Sequence, residues 1–169
     1  DVLREAVEEA CAVIFRTAQG DPELAGMGTT VTAALVDGRT AYVAHVGDSR
    51  CYLLREGRIY QVSEDHSLVN EQLKAGAISE DEAKHSRFKN IITRSVGFEQ
   101  EVQVDLLAVE LEAGDALVIC CDGLSNLVDD PEMSDAERAG YLADGTQSSM
   151  IVPLILGQEC LGILSMHRR

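Results

Sequence analysis

The chain of 169 residues has no tryptophan, and aromatic residues make up only 4% of it. Because a surface that stacks nucleic-acid bases needs aromatic side chains, this scarcity argues against single-strand binding. Positive charge is also scarce, since 14 Lys and Arg stand against 29 Asp and Glu and leave a net charge of -15. That charge repels phosphate backbones and anionic lipid, so we expect neither nucleic acid nor a membrane as partner.

Long apolar runs and paired-cysteine motifs are also lacking. No run approaches the roughly 18 apolar residues that span a bilayer, and no charged-then-apolar leader opens the sequence. The five cysteines show no C-x-x-C spacing, and four of them lie in apolar helix or strand patterns: Cys11, Cys51, Cys120 and Cys121. We therefore expect reduced core cysteines and a cytoplasmic protein.

Hydrophobic residues make up 46% of the chain, which is enough for the core of one ordinary domain. From Asp1 to Ala18 they recur at three- and four-residue steps, a spacing that predicts an amphipathic helix. Two shorter helices are predicted after Ser67 and Ser79. The second begins with a capping box, because Glu82 stands three residues after Ser79.

The strand pattern is mostly antiparallel. Asp37-Gly38 and Glu56-Gly57 are two-residue hairpin signals between alternating apolar segments, so residues 31–62 are predicted to form a meander of four strands. Three further segments read as strands: Asn90 to Val96, Val102 to Val109 and Ala116 to Cys121. The last is continuously apolar and is expected to be buried on both faces.

Two of these strands end in an aspartate beside a glycine. Gly47-Asp48 follows the strand Ala41 to Val46, and Asp122-Gly123 follows the strand that ends at Cys121. If both carboxylates reach the same end of a sheet, about 5 Å apart, they repel by roughly 3 kcal/mol at an effective dielectric of 20. A cation between them would remove that repulsion. The alternative is that each aspartate is a solvated turn residue.

Five motifs in this order resemble the metal-dependent protein phosphatases of the 2C type, especially the bacterial serine/threonine phosphatases, over Leu3 to Asp130. The motifs are Gly26 to Thr30, Val46 to Arg50, Glu64 to Val69, Asn90 to Gly97 and Cys121 to Leu124. The resemblance implies an α+β fold, an antiparallel β-sandwich flanked by helices, which is truncated here and carries a C-terminal hairpin.

The resemblance also implies an activity, a cofactor and partners. The activity is hydrolysis of phosphoserine or phosphothreonine on proteins by a metal-activated water at a centre of two Mg or Mn ions. Asp122 matches a metal ligand of the family, and Asp48 matches an acid beside the same centre. A cognate kinase is the further partner that the resemblance implies. His66 and Ser67 match a surface segment, and we assign them no catalytic role.

The chain departs from the family pattern at both ends. The family has a phosphate-binding Arg and an Asp-Gly-Met-Gly type motif before the first helix, and a closing Gly-x-Asp-Asn-x-Thr strand. Neither motif occurs among these residues, and the opening of the helix at Asp1 without a cap suggests that residues precede it. We therefore expect the 169 residues alone to hold Mn weakly and to show no turnover.

The sequence changes character after Asp130, so we predict a phosphatase-like domain at 1–130 and a second segment at 131–169. A short helix after Ser134 and a polar loop from Gly145 precede an apolar hairpin of residues 150–156 and 160–166. The hairpin resembles the last two strands of a GAF domain, or it completes the phosphatase-like sheet. The alternative function is thus a non-catalytic phosphatase-like signalling module with a ligand-sensing GAF-like segment.

Overall fold

The computed structural model describes residues 2–128, 149–156 and 159–167. Its α-helices are α1 (Val2–Gly20), α2 (Leu68–Lys74), α3 (Glu80–Lys84) and α4 (Asp122–Val128), with a short 3₁₀ helix at Pro22–Leu24. Its strands are β1 (Val31–Asp37), β2 (Thr40–Val46), β3 (Arg50–Arg55), β4 (Arg58–Gln61), β5 (Asp105–Glu110), β6 (Ala116–Cys120), β7 (Ser149–Leu156) and β8 (Glu159–His167). The α+β class is therefore confirmed. No helix of the described residues is both long and apolar enough to cross a bilayer.

The chain divides into two compact units. The first contains Asp1–Thr32, Ala44–Asp48 and Glu64–Leu106. The second contains Ala33–Val43, Ser49–Ser63 and Leu107–Arg169. The strand orders are β1-β2-β5, β4-β3-β6 and β7-β8.

The core of the first unit is built against one face of α1. Its buried members are Val7, Cys11, Ala44, Val46, Val96 and Val104. Gly97 comes so close to α1 that an added Cβ would lie 2.7 Å from the Cβ of Ile14, and its φ of +93° suits glycine. This close approach, together with a hydrogen bond from Gly97 N–H to the Cys11 thiol at 3.2 Å, fixes the helix against the unit.

The second unit contains a hairpin whose turn the sequence predicts correctly. β3 and β4 pair antiparallel, and the two turn residues Glu56 and Gly57 both have positive φ, at 51° and 71°. Such a turn matches the twist of the strands that it joins. β3 also pairs antiparallel with β6, and the buried Tyr52 and Cys120 pack there with partly buried apolar residues such as Leu54 and Val118.

The predicted meander of four strands is wrong. β1 and β2 are neighbours across the turn at residues 38 and 39, as predicted, but β2 pairs next with β5, and β3 pairs with β4 and β6. The chain thus passes from one sheet into another between β2 and β3. The cause lies at Gly47, whose φ of +110° ends the extended conformation before a tight hairpin can form.

The predicted strand from Asn90 to Val96 is also wrong. Its backbone bonds go to two separate segments, because Thr93 N–H donates to the His66 carbonyl while Val96 exchanges two bonds with Thr29. Only isolated bridges result, and no ladder forms. The strand predicted at Val102 to Val109 is shorter in the structure and begins at Asp105.

The predicted burial of the strand Ala116 to Cys121 is wrong in part. Only Cys120 is buried, Ala116 is exposed, and the three residues between them are half-buried. The strand ends at Cys120, so Cys121 lies outside the ladder, is exposed and is not a core residue. Cys11, Cys51 and Cys120 are buried free thiols, as predicted.

The C-terminal hairpin is present as β7 and β8, which pair antiparallel from Ser149 opposite His167 to Leu156 opposite Glu159. Both the GAF-like interpretation and the sheet-completing interpretation require such a hairpin, so the pairing favours neither. The predicted helix after Ser134, the polar loop before Ser149 and the domain boundary after Asp130 lie outside the described residues.

Candidate functional site

The first predicted site residue, Asp48, lies directly after β2 in the first unit and is half-buried. Gly47 before it has no room for a side chain. An added Cβ would meet the methyl group of Thr30 and would lie 2.6 Å from the Cβ of that residue. Its φ of +110° is also one that L side chains rarely adopt, so this position requires glycine and turns the chain sharply into Asp48.

The second predicted site residue, Asp122, is the first residue of α4 in the second unit, and it is exposed. A negative charge in the first turn of a helix is favourable by itself, because it faces the positive end of the helix dipole. That structural role and a role as metal ligand are compatible for one carboxylate.

The two aspartates follow strands of different sheets and belong to different units. That they share one cation stays a prediction. Within residues 2–128, 149–156 and 159–167, no three or more His, Cys, Asp or Glu side chains form a group that could hold a metal ion.

The chemistry of this donor set still fits Mg²⁺ or Mn²⁺. Carboxylate oxygens are the ligands that such hard cations prefer, and Mg²⁺ commonly keeps several waters while one or two carboxylates hold it. Asp48 is half-buried and Asp122 is exposed, so neither carboxylate is fully sequestered from solvent. Each of these aspartates can therefore supply part of a coordination shell that water completes.

His66 is where the structure corrects the sequence most clearly. His66 and Ser67 were expected on the surface, but both are 6% exposed. The Gly47 N–H donates to Nδ1 of the His66 ring at 3.1 Å, and the backbone N–H of His66 donates to the Gly47 carbonyl at 2.8 Å. Both polar groups of Gly47, on the two peptides that flank its Cα, are thus held by His66.

The opposite edge of the His66 ring meets an ion pair. Since Nδ1 accepts from Gly47, the ring proton lies on Nε2, which donates to Oδ2 of Asp105 at 3.0 Å. Arg94 donates from Nη1 to the other carboxylate oxygen of Asp105 at 2.9 Å. Burial raises the pKa of Asp105, but the hydrogen bonds from His66 and Arg94 outweigh it and hold that pKa below its usual range.

His45 lies beside His66 with the ring centroids 4.8 Å apart. It is fully buried, and its Nε2 is 2.9 Å from the Glu64 carbonyl, which can only accept, so Nε2 carries the proton. Nδ1 then accepts from the Thr32 hydroxyl at 2.9 Å. Burial lowers the pKa of His45, and the neighbouring His66 lowers it further, so the ring is neutral and structural.

Sequence reasoning missed this polar cluster of His45, His66, Arg94 and Asp105, which lies wholly in the first unit. One signal was present, because His45 interrupts an otherwise apolar strand and a buried imidazole needs partners for both nitrogens. The partners of His66 carried no such signal, since Gly47 and Asp105 are far from it in sequence.

A half-open cavity of about 700 Å³ lies in the first unit. Its lining includes Arg94 and Ser95 together with two acids, Glu99 and Glu101. Neither Asp48 nor Asp122 is among its lining residues.

Residues 1–150 match the family model described as Protein phosphatase 2C. Among curated relatives, the serine/threonine phosphatase stp of Listeria welshimeri is 42% identical over 133 residues, which cover 79% of this chain and 53% of the relative. The protein phosphatase PhpP of Streptococcus pneumoniae is 44% identical over 130 residues, covering 76% of this chain and 52% of that protein. The chain thus spans about half the length of these relatives.

Solved structures show the same likeness in three dimensions. The serine/threonine phosphatase of S. agalactiae superposes with a TM-score of 0.73 at 39% identity, over 88% of this chain and 57% of that one. The catalytic domain of the serine threonine protein phosphatase PstP, solved in complex with two manganese ions, superposes with a TM-score of 0.68 at 35% identity. That match covers 84% of this chain and 62% of the PstP chain.

Proposed function

Because this chain belongs to the protein phosphatase 2C family, we propose that it is part of an enzyme that hydrolyses phosphoserine and phosphothreonine on proteins. The observation that carries the proposal is the match of residues 1–150, supported by a relative named as a serine/threonine phosphatase at 42% identity and one named as a protein phosphatase at 44%. The partners of such an enzyme are phosphoproteins and the kinase that phosphorylates them. The buried free thiols support a reducing compartment such as the cytoplasm.

Mg²⁺ or Mn²⁺ is the cofactor of the proposed reaction. When bound, such ions lower the pKa of water and neutralise charge on phosphoryl oxygens. We propose that Asp48 and Asp122 each supply a carboxylate ligand. The likeness to the PstP structure, which contains two manganese ions, supports a cofactor of this kind.

Four other residues of the first unit, Gly47, His66, Arg94 and Asp105, have structural roles. Gly47 directs the backbone into Asp48, and His66 holds the peptides on both sides of Gly47. Arg94 and Asp105 neutralise each other, so Arg94 is bound within the protein and is already paired before any phosphate arrives. Phosphate recognition is therefore not assigned to Arg94.

The test is Mn²⁺ binding by the protein that carries this chain, together with phosphate release from a phosphothreonine peptide. Asp48→Asn and Asp122→Asn remove one charge each with almost no change in shape. We expect each to weaken Mn²⁺ binding and to slow phosphate release by about 10-fold or more, since ligand charge dominates hard-cation binding.

Asp37→Asn is the matched control, because Asp37 also ends a strand and also precedes a glycine. It is expected to leave Mn²⁺ binding unchanged. Unchanged Mn²⁺ affinity in both Asp48→Asn and Asp122→Asn would remove these residues from the proposed centre. Absence of Mn²⁺-dependent phosphate release from the protein would overturn the proposed activity.

A further inference from the structure

We propose that His66 is a positioning residue for Asp48: it fixes the Gly47 peptides and so sets the direction in which the Asp48 carboxylate meets a divalent cation. The inference rests on the proposed function, because that function makes Asp48 a metal ligand. It assigns a role to a buried histidine that touches neither substrate nor metal.

The first step is the pair of bonds between His66 and Gly47. The backbone N–H of His66 donates to the Gly47 carbonyl at 2.8 Å, and that carbonyl belongs to the peptide that joins Gly47 to Asp48. The Gly47 N–H donates to Nδ1 of His66 at 3.1 Å. One residue therefore restrains the peptides on both sides of the Gly47 Cα.

The second step is the need for such a restraint. Glycine has the widest backbone freedom of any residue, and Gly47 has a φ of +110° immediately before the proposed ligand. Rotation about the Gly47 dihedrals would change the direction in which the chain enters Asp48. Metal affinity falls when the groups that orient a ligand are lost, so the restraint on Gly47 has a direct value for binding.

The third step is that His66 is itself immobilised. Its side chain is 6% exposed, and its Nε2 donates to Asp105, which Arg94 holds from the other side. Its carbonyl accepts from the Thr93 N–H at 2.8 Å. The imidazole therefore has one orientation and one tautomer, with Nδ1 unprotonated and aimed at Gly47.

Two substitutions separate this role from a general role in stability. In His66→Asn, the side-chain oxygen replaces Nδ1 and can still accept from Gly47, while the donor to Asp105 is lost. In His66→Gln, the amide nitrogen replaces Nε2 and can still donate to Asp105, while the acceptor for Gly47 is lost. Each variant loses one of the two ring hydrogen bonds, so each is a control for the other.

The measurement is Mn²⁺ affinity of the protein by electron paramagnetic resonance, with urea unfolding and hydrogen exchange of the Gly47 amide on the same samples. We expect His66→Gln to weaken Mn²⁺ binding by about 10-fold, the lower end for loss of a group that orients a ligand. Its Gly47 amide should exchange faster. His66→Asn should retain most of the affinity and the protection, although both variants lose stability.

Equal Mn²⁺ affinities in His66→Gln and His66→Asn would overturn the positioning role, provided that Asp48→Asn still weakens binding. If Asp48→Asn has no effect, it is the proposed ligand that fails, so the two failures are distinct. Should neither His66 variant fold, Asp105→Ala removes the acceptor of the ring Nε2–H at a partly exposed position. It should weaken Mn²⁺ binding several-fold and speed Gly47 exchange, and no change in either would refute the proposal.

Discussion

At the scale of single residues, Gly47 meets two requirements for glycine at once. Its φ of +110° is unfavourable for any side chain, and the space where a Cβ would lie is filled by Thr30. Gly38 shares only the first requirement, since it has a φ of +59° and nothing lies within 4 Å of an added Cβ. The two glycines therefore separate backbone strain from steric overlap.

We expect Gly47→Ala to lower the free energy of unfolding by about 3 kcal/mol, because it adds overlap with Thr30 to the cost of a positive φ. Gly38→Ala should cost only about 1 kcal/mol, the typical penalty for a left-handed non-glycine residue. Urea unfolding of both variants measures the difference. Equal losses would mean that Thr30 moves aside without cost.

His45 should make stability depend on pH. Its pKa is lowered in the folded state by burial, so the unfolded chain takes up the proton first as pH falls. Stability is therefore expected to fall below about pH 6.5, the ordinary value for histidine, with a slope of at most about 1.4 kcal/mol per pH unit from this residue.

The variant His45→Gln tests the pH dependence, because it can keep a donor for the Glu64 carbonyl but has no titrating group. Urea unfolding between about pH 5 and pH 8 should show a shallower slope for the variant than for the unchanged protein. The difference in free energy of unfolding between the variant and the unchanged protein near pH 8 gives the part of the loss that does not depend on pH. Identical slopes would show that His45 does not titrate differently on unfolding.

At the scale of helices and strands, the sequence predicted what neighbouring residues determine. The capping box of α3 is present, with the Ser79 and Glu82 side chains each bonded to the backbone of the other. The hairpin predicted at Glu56-Gly57 also forms, and the one predicted at Asp37-Gly38 forms with its turn one residue later, at residues 38–39. Each of these features depends on side chains within four residues of one another, so no knowledge of the rest of the chain was needed.

The errors at this scale have a common cause. Whether residues 90–96 form a strand depends on whether one partner segment runs beside all of them, and here His66 and Thr29 each take only part of the segment. The prediction of a four-strand meander is wrong for the same reason. Hairpin signals indicate which consecutive strands pair, but they do not indicate to which sheet each strand belongs. Apolar alternation alone cannot identify the pairing partner.

At the scale of the whole molecule, the sequence identified the two aspartates but not what holds one of them in place. Asp48 and Asp122 stand out because each follows an apolar strand beside a glycine. The proposed positioning of Asp48 depends on His66, which Asp105 and Arg94 hold in turn, and these residues are brought together only by folding. That Asp48 and Asp122 are both ligands stays a prediction.

The net charge of -15 leads to an expectation about salt. Raising NaCl from about 10 to about 150 mM shortens the screening length from about 30 to about 8 Å, which weakens repulsion among the acids of the folded state. We expect the melting temperature to rise by about 2–4 °C, the shift that 1 kcal/mol gives at this size.

Differential scanning calorimetry measures the salt effect, and KCl serves as control because screening depends on ionic strength and not on the monovalent cation. A melting temperature that falls with NaCl would show that attractive pairs such as Arg55 with Asp115 outweigh the general repulsion.

Because several thiols are buried, their alkylation reports local opening of the protein. Cys121 is exposed and open to an alkylating reagent, whereas Cys11 is on the buried face of α1 in the first unit and Cys51 is buried in the second. Burial raises the pKa of Cys51 to about 11, so the reactive thiolate is scarce there until the strand is released. The order in which Cys11 and Cys51 are alkylated under mild denaturant therefore shows which unit opens first, and no cysteine has to be introduced for the measurement.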